Sequence, residues 1–119
     1  MKIALYDLTP ALQKTIVDYL TAYGEERREA CNLTIFCGES ISFEKCFQTH
    51  TADVMFLSVH SNVAEVVKQL QERQQQTCFV FLTQSELLPV NAYMRYLKIP
   101  IAYHTFRDLL ENVAYLSGQ

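Results

Sequence analysis

Four side chains able to do chemistry stand where apolar runs end. Asp7 follows KIALY (2–6), Ser58 stands near the end of ADVMFLSV (52–59), Thr83 follows TCFVFL (77–82), and His104 ends IPIAYH (99–104). Asp7, Ser58 and His104 have the residue types of a hydrolase triad. No G-x-S-x-G elbow surrounds Ser58 and no oxyanion loop is visible, so acyl transfer is not expected. The other chemistry such a row suits is cation or phosphoryl binding. That needs hard oxygen ligands, carboxylates above all, and Asp7 is the one carboxylate of the four.

The cysteines offer little more. Cys31, Cys37, Cys46 and Cys78 show no C-x-x-C spacing and read as buried thiols of a reducing compartment. Cys37, Cys46 and His50 have metal-ligand chemistry, but no fourth ligand lies at a zinc-like spacing, so no metal is expected. The three glycines, Gly24, Gly38 and Gly118, are too few and too scattered for a phosphate-cradling loop, and no cofactor is expected.

Half of the 119 residues are apolar and 19% are charged, with a formal net charge of −3. This suits one globular domain and gives no basic stripe for nucleic acid. No run of about 18 apolar residues and no signal-peptide pattern occurs, which leads to the expectation of a cytoplasmic chain that does not enter the membrane.

The elements that must position these residues follow from pattern. The run through Val54, Met55, Phe56 and Leu57 has no polar face, as in a strand buried on both sides. Ser58 would then stand at the carboxyl end of a central strand, the edge where open α/β sheets bind ligands. Thr9 and Pro10 start a helix whose inward residues are Leu12, Ile16, Tyr19, Leu20 and Tyr23, and Gly24 ends it. Further strands are expected at 32–37, 77–82 and 99–104, and helices at 40–48, from 61 to about 70, and at about 85–97. Thr105 caps a last helix with the inward stripe Phe106, Leu109, Leu110 and Val113. Five strands alternating with five helices predict a doubly wound five-stranded parallel sheet with helices on both faces, a (βα)5 fold.

This alternation, with Asp7 after the first strand and Thr83 after the fourth, resembles the receiver domain of two-component response regulators, a CheY-like or flavodoxin-like architecture. The opening MKIALYDLTP is similar to the MKIAI-C-D-D-E-P opening of the LytR/AgrA group. In that family two adjacent acids after the first strand and an aspartate after the third hold magnesium, and the third-strand aspartate accepts the phosphoryl group. By this resemblance Leu8 replaces the second acid, Ser58 the phosphoacceptor and His104 the pairing lysine, with Thr105 where a proline is usual. The M-P-x-x-x-G loop is missing, and Ile101 stands where a switch aromatic is usual.

The resemblance therefore implies a pseudo-receiver: no enzyme, a degenerate pocket of Asp7, Leu8, Ser58, Thr83 and His104, and signalling through protein contacts. It further implies a homodimer through the family's fourth helix, fifth strand and fifth helix. The matching residues are Tyr93, Tyr96, Lys98, Ile101, Tyr103, Arg107, Asp108 and Glu111. Residues 1–117 are expected to form the domain, with DNA bound only through an output domain of the LytTR type beyond this chain. The alternatives are a conventional phosphorylatable receiver and a small flavodoxin-like enzyme or cofactor carrier.

Overall fold

The computed structural model describes residues 1–37, 45, 52–58, 77–84 and 94–117. Five strands, β1 (Lys2–Tyr6), β2 (Asn32–Phe36), β3 (Val54–Ser58), β4 (Cys78–Thr83) and β5 (Met94–Lys98), form one sheet in the order β2-β1-β3-β4-β5. Every neighbouring pair is parallel. Two helices stand among the described residues, α1 (Pro10–Arg27) and α2 (Tyr103–Ser117). Neither is long and apolar enough to cross a membrane. Of the helix expected at 40–48 only Lys45, a helical residue, is described; the helix expected from 61, residues 85–93 of the one expected at about 85–97, and Cys46 and His50 lie outside the described residues.

The central strands are buried because both their faces are apolar. Ile3, Leu5, Val54, Phe56, Val80 and Leu82 join Ile16, Leu20 and Tyr23 of α1 and Phe106, Leu110 and Val113 of α2 in one core. Ala4, Tyr6, Met55, Leu57, Phe79 and Phe81 form a second buried cluster on the opposite face. This period-two split is what a strand inside a two-sided sheet requires.

α1 begins as its sequence dictates. The Thr9 hydroxyl accepts from the Leu12 amide at 3.4 Å, and Pro10 fills the first turn, where its missing N–H costs nothing. The helix runs past Gly24 to Arg27 and ends on Arg28 in the left-handed region, φ 56°. Gly24 is still part of the ending. The Glu29 amide returns to the Gly24 carbonyl at 3.1 Å, and a Cβ on Gly24 would stand 3.0 Å from the Glu29 carbonyl oxygen.

The fifth strand corrects the sequence reading. It is Met94–Lys98, so the segment 94–97 is not the end of a helix, and 99–104 is not a strand. The register Phe79↔Met94 through Thr83↔Lys98 gives β4 a full partner. As a strand, this segment buries Leu97 in the first core and stacks Tyr96 on Phe81 in the second, with centroids 5.5 Å apart. A strand at 99–104 would have carried Pro100, which has no donor for the ladder; in the structure Pro100 sits in the connection to α2 after a cis Ile99-Pro100 bond. α2 then starts at Tyr103 rather than after Thr105, with the Phe106 amide donating to the Ala102 carbonyl at 3.1 Å.

Candidate functional site

The parallel register brings the carboxyl ends of all five strands to one edge. Tyr6 pairs with Leu57, so Asp7 follows beside Ser58; Ser58 pairs with Leu82, one residue before Thr83; and Thr83 pairs with Lys98. Asp7, Ser58, Thr83 and Lys98 therefore stand along one edge of the sheet on four neighbouring strands about 5 Å apart, with Thr83 and Lys98 one residue beyond the Ser58 level and on the other strand face. Ser58 is half-buried and Thr83 buried, while Asp7 and Lys98 are exposed.

Local structure sets each position. Asp7 takes a left-handed conformation, φ 50°, which aspartate tolerates better than most residues, and its amide donates to the Phe36 carbonyl at 2.9 Å. This turns the chain from β1 towards the Thr9 cap. Leu8, one residue on, is half-buried and packs on the core shared by α1 and α2, so that position serves packing. The Thr83 carbonyl accepts from the Ile99 amide at 2.7 Å, which fixes the exit of β5 just after Lys98.

Lys98 changes the composition of the site. The strand-end position expected for His104 belongs to Lys98, and His104 is an exposed residue in the first turn of α2. The row thus carries one carboxylate and one ammonium, and between them two hydroxyls. Among the described residues this edge is close to neutral, poor ground for a divalent cation, and an alcohol stands at its centre. Sequence reasoning placed Lys98 on a partner face instead. The signal that marks it is a lysine ending the alternating run Met94-Arg95-Tyr96-Leu97, two residues before a proline.

Compared with protein-family profiles and with curated proteins, the chain matches none.

The residues expected on a partner face divide. Tyr103, Arg107 and Glu111 recur every four positions, one stripe of α2, and that stripe meets α1. The Tyr103 hydroxyl donates to the Glu26 carboxylate at 2.8 Å, Arg107 pairs with Glu26 at 3.7 Å, and Glu111 pairs with Arg27. The Tyr103 ring stands edge-on to Tyr19 at 5.4 Å. Burial and the Glu26 carboxylate both push the Tyr103 hydroxyl above its usual range. Ile101 is buried in the core, and its carbonyl accepts from the Tyr19 hydroxyl at 2.6 Å. These four residues tie α2 and its leading loop to α1. Tyr96, Lys98 and Asp108 stand apart from that contact, and Tyr93 lies outside the described residues.

Among the described cysteines, Cys37 is exposed, Cys31 half-buried and Cys78 buried. Burial pushes the Cys78 thiol from 9.0 up to about 11, against the opposing charge and hydrogen bond of Arg95. Cys78 is accordingly a packed thiol and no nucleophile at neutral pH. Because the folded state holds this proton more tightly, its contribution to stability is present below pH 9 and is lost as pH rises towards 11. The loss amounts to about 3 kcal/mol. Urea melts between pH 8 and 11 should show it, and Cys78→Ala should flatten the curve in that window.

Proposed function

We propose that this chain is a receiver-like signalling domain that works through protein contacts and not through aspartyl phosphorylation. The strand order β2-β1-β3-β4-β5 is the flavodoxin-like order, in which function gathers at the carboxyl edge. The buried second face of the sheet supports a doubly wound (βα)5 architecture with helices on both sides. Thr83 and Lys98 at the ends of the last two strands suit the hydroxyl and lysine positions of a receiver.

One observation carries the functional reading: Ser58, not a carboxylate, ends the middle strand. Phosphoryl transfer to a receiver needs a carboxylate nucleophile beside a magnesium ion, and an alcohol without a neighbouring base is a poor substitute. With Leu8 turned to packing, Asp7 is the one carboxylate among the described residues that end the strands at this edge. Lys98 adds a positive charge to the same edge. The domain then signals by presenting surfaces, self-association among them, with the exposed Lys98 and Asp108 available to that contact.

Incubation with acetyl phosphate and magnesium, read by intact mass, tests this directly. The chain should stay unmodified. A stable phosphoryl adduct on any aspartate would instead make it a conventional receiver.

A further inference from the structure

We infer that the free edge of β2 is a docking site for an extended, cation-bearing segment of a partner protein, which adds as a sixth strand. β2 ends the sheet order, and among the described residues no strand lies beyond it. Its inner bonds fix which backbone groups face out. The Asn32 amide donates to the Met1 carbonyl, and the Phe36 carbonyl accepts from the Asp7 amide, both at 2.9 Å. In a parallel ladder alternate residues serve the neighbour, so Asn32, Thr34 and Phe36 bond β1. The amides and carbonyls of Leu33 and Ile35 point outward, two donor–acceptor pairs spaced as an added strand requires.

Side chains beside that edge state what the added strand should carry. Ile35 is 48% exposed, the one large hydrophobic residue exposed among the described residues, although it lies on the same strand face as half-buried Leu33. Next to Leu33 a groove of about 330 Å³ opens between α1 and β2, floored by Val17, Leu20 and Leu33. Glu25 and Glu29 line the same groove towards the amino end of β2. Both are exposed, and the ion pairs at the end of α1 use Glu26 and Arg27 instead. An apolar floor with two carboxylates at one end fits alternate aliphatic side chains followed by lysine or arginine.

This chemistry favours a different protein over a second copy. An antiparallel copy of β2 would bring Phe36 and Cys37 to the acidic end, and neither carries a positive charge. The inference rests on the β2 edge and uses none of the carboxyl-edge residues, so the phosphorylation result leaves it unchanged.

The test uses the 119-residue chain and a short fluorescein-labelled peptide of alternating valine and threonine with two lysines at one end. Versions with the lysines at the other end, and with glutamates in their place, serve as comparisons, all read by fluorescence polarisation. One lysine-ended peptide should bind saturably, and the glutamate-ended peptide about ten-fold more weakly or not at all, since each tenfold is a modest free-energy difference for two charge contacts. Ile35→Pro removes an outward donor without touching the β1 ladder and should abolish binding. The double variant Glu25→Lys/Glu29→Lys keeps β2 intact and should reverse the preference between the two peptides. Absence of saturable binding, or binding that neither variant changes, would overturn the inference. So would a dimer in sedimentation that Ile35→Pro dissolves, since a second copy would then own the edge.

Discussion

Ser58→Asp is expected to give the chain a phosphoryl-accepting site at the middle of the carboxyl edge. The new carboxylate would stand one register step from Asp7, about 5 Å across adjacent parallel strands, close enough for two acids to share one magnesium ion. Lys98 and Thr83 already stand at the ends of β5 and β4. With acetyl phosphate and magnesium, intact mass should show an adduct on Ser58→Asp and none on the unaltered chain. Adding Asp7→Asn should reduce that adduct at least about ten-fold, because a single carboxylate leaves the ion poorly held. An equal adduct with and without Asp7 would mean that the row of strand ends is not the site.

Phe106→Ala is expected to be the most damaging single truncation in α2. Phe106 is fully buried; its ring stacks on Phe56 of the central strand at 5.6 Å and leans on Tyr19 of α1 at 5.5 Å. Its ring ties the middle of the sheet to the other helix. Emptying such a site costs the lost transfer energy and the cavity together, about 3–5 kcal/mol. Small domains have about 5–15 kcal/mol in all, so the urea midpoint should fall by a large fraction at unchanged slope. His104→Ala, two residues away and exposed, should shift stability by no more than about 0.5 kcal/mol. Similar losses for the two would contradict the placement of α2.

Much of this fold is legible from residue order because burial on two faces leaves a plain mark. The runs around Leu5, Phe56 and Val80 have no polar face, and each is a strand of the sheet centre. Thr9-Pro10 starts α1, and the stripe Phe106, Leu109, Leu110 and Val113 is the buried side of α2. β5 is not legible in the same way. Met94 to Lys98 alternates, yet Tyr93, Tyr96 and Leu97 also recur at helical spacing, and only pairing with β4 decides between the two periods. That one ambiguity displaced the fifth strand, moving His104 to a strand end and hiding Lys98, while the stripe of α2 stayed legible.

The strand-end places of Asp7, Ser58 and Thr83 were legible because each ends or follows an unambiguous strand. The partner face was less so. Tyr103, Arg107 and Glu111 border the apolar stripe of α2, and nothing in their own spacing says whether such residues face water or a neighbouring helix. The deciding partners, Glu26 and Arg27, lie at the far end of α1 in the chain. Exposed pairs of this kind are worth little singly, so their role is to fix how the two helices meet and not to hold the fold.

The middle of the carboxyl edge offers a hydroxyl where divalent-metal chemistry needs a carboxylate. Titration of the nitrogen-labelled chain with magnesium, following the amides of Asp7, Ser58, Thr83 and Lys98, should therefore give no saturable shift at millimolar magnesium. A saturable shift centred on Asp7 and Ser58 would mean that the edge holds the ion after all.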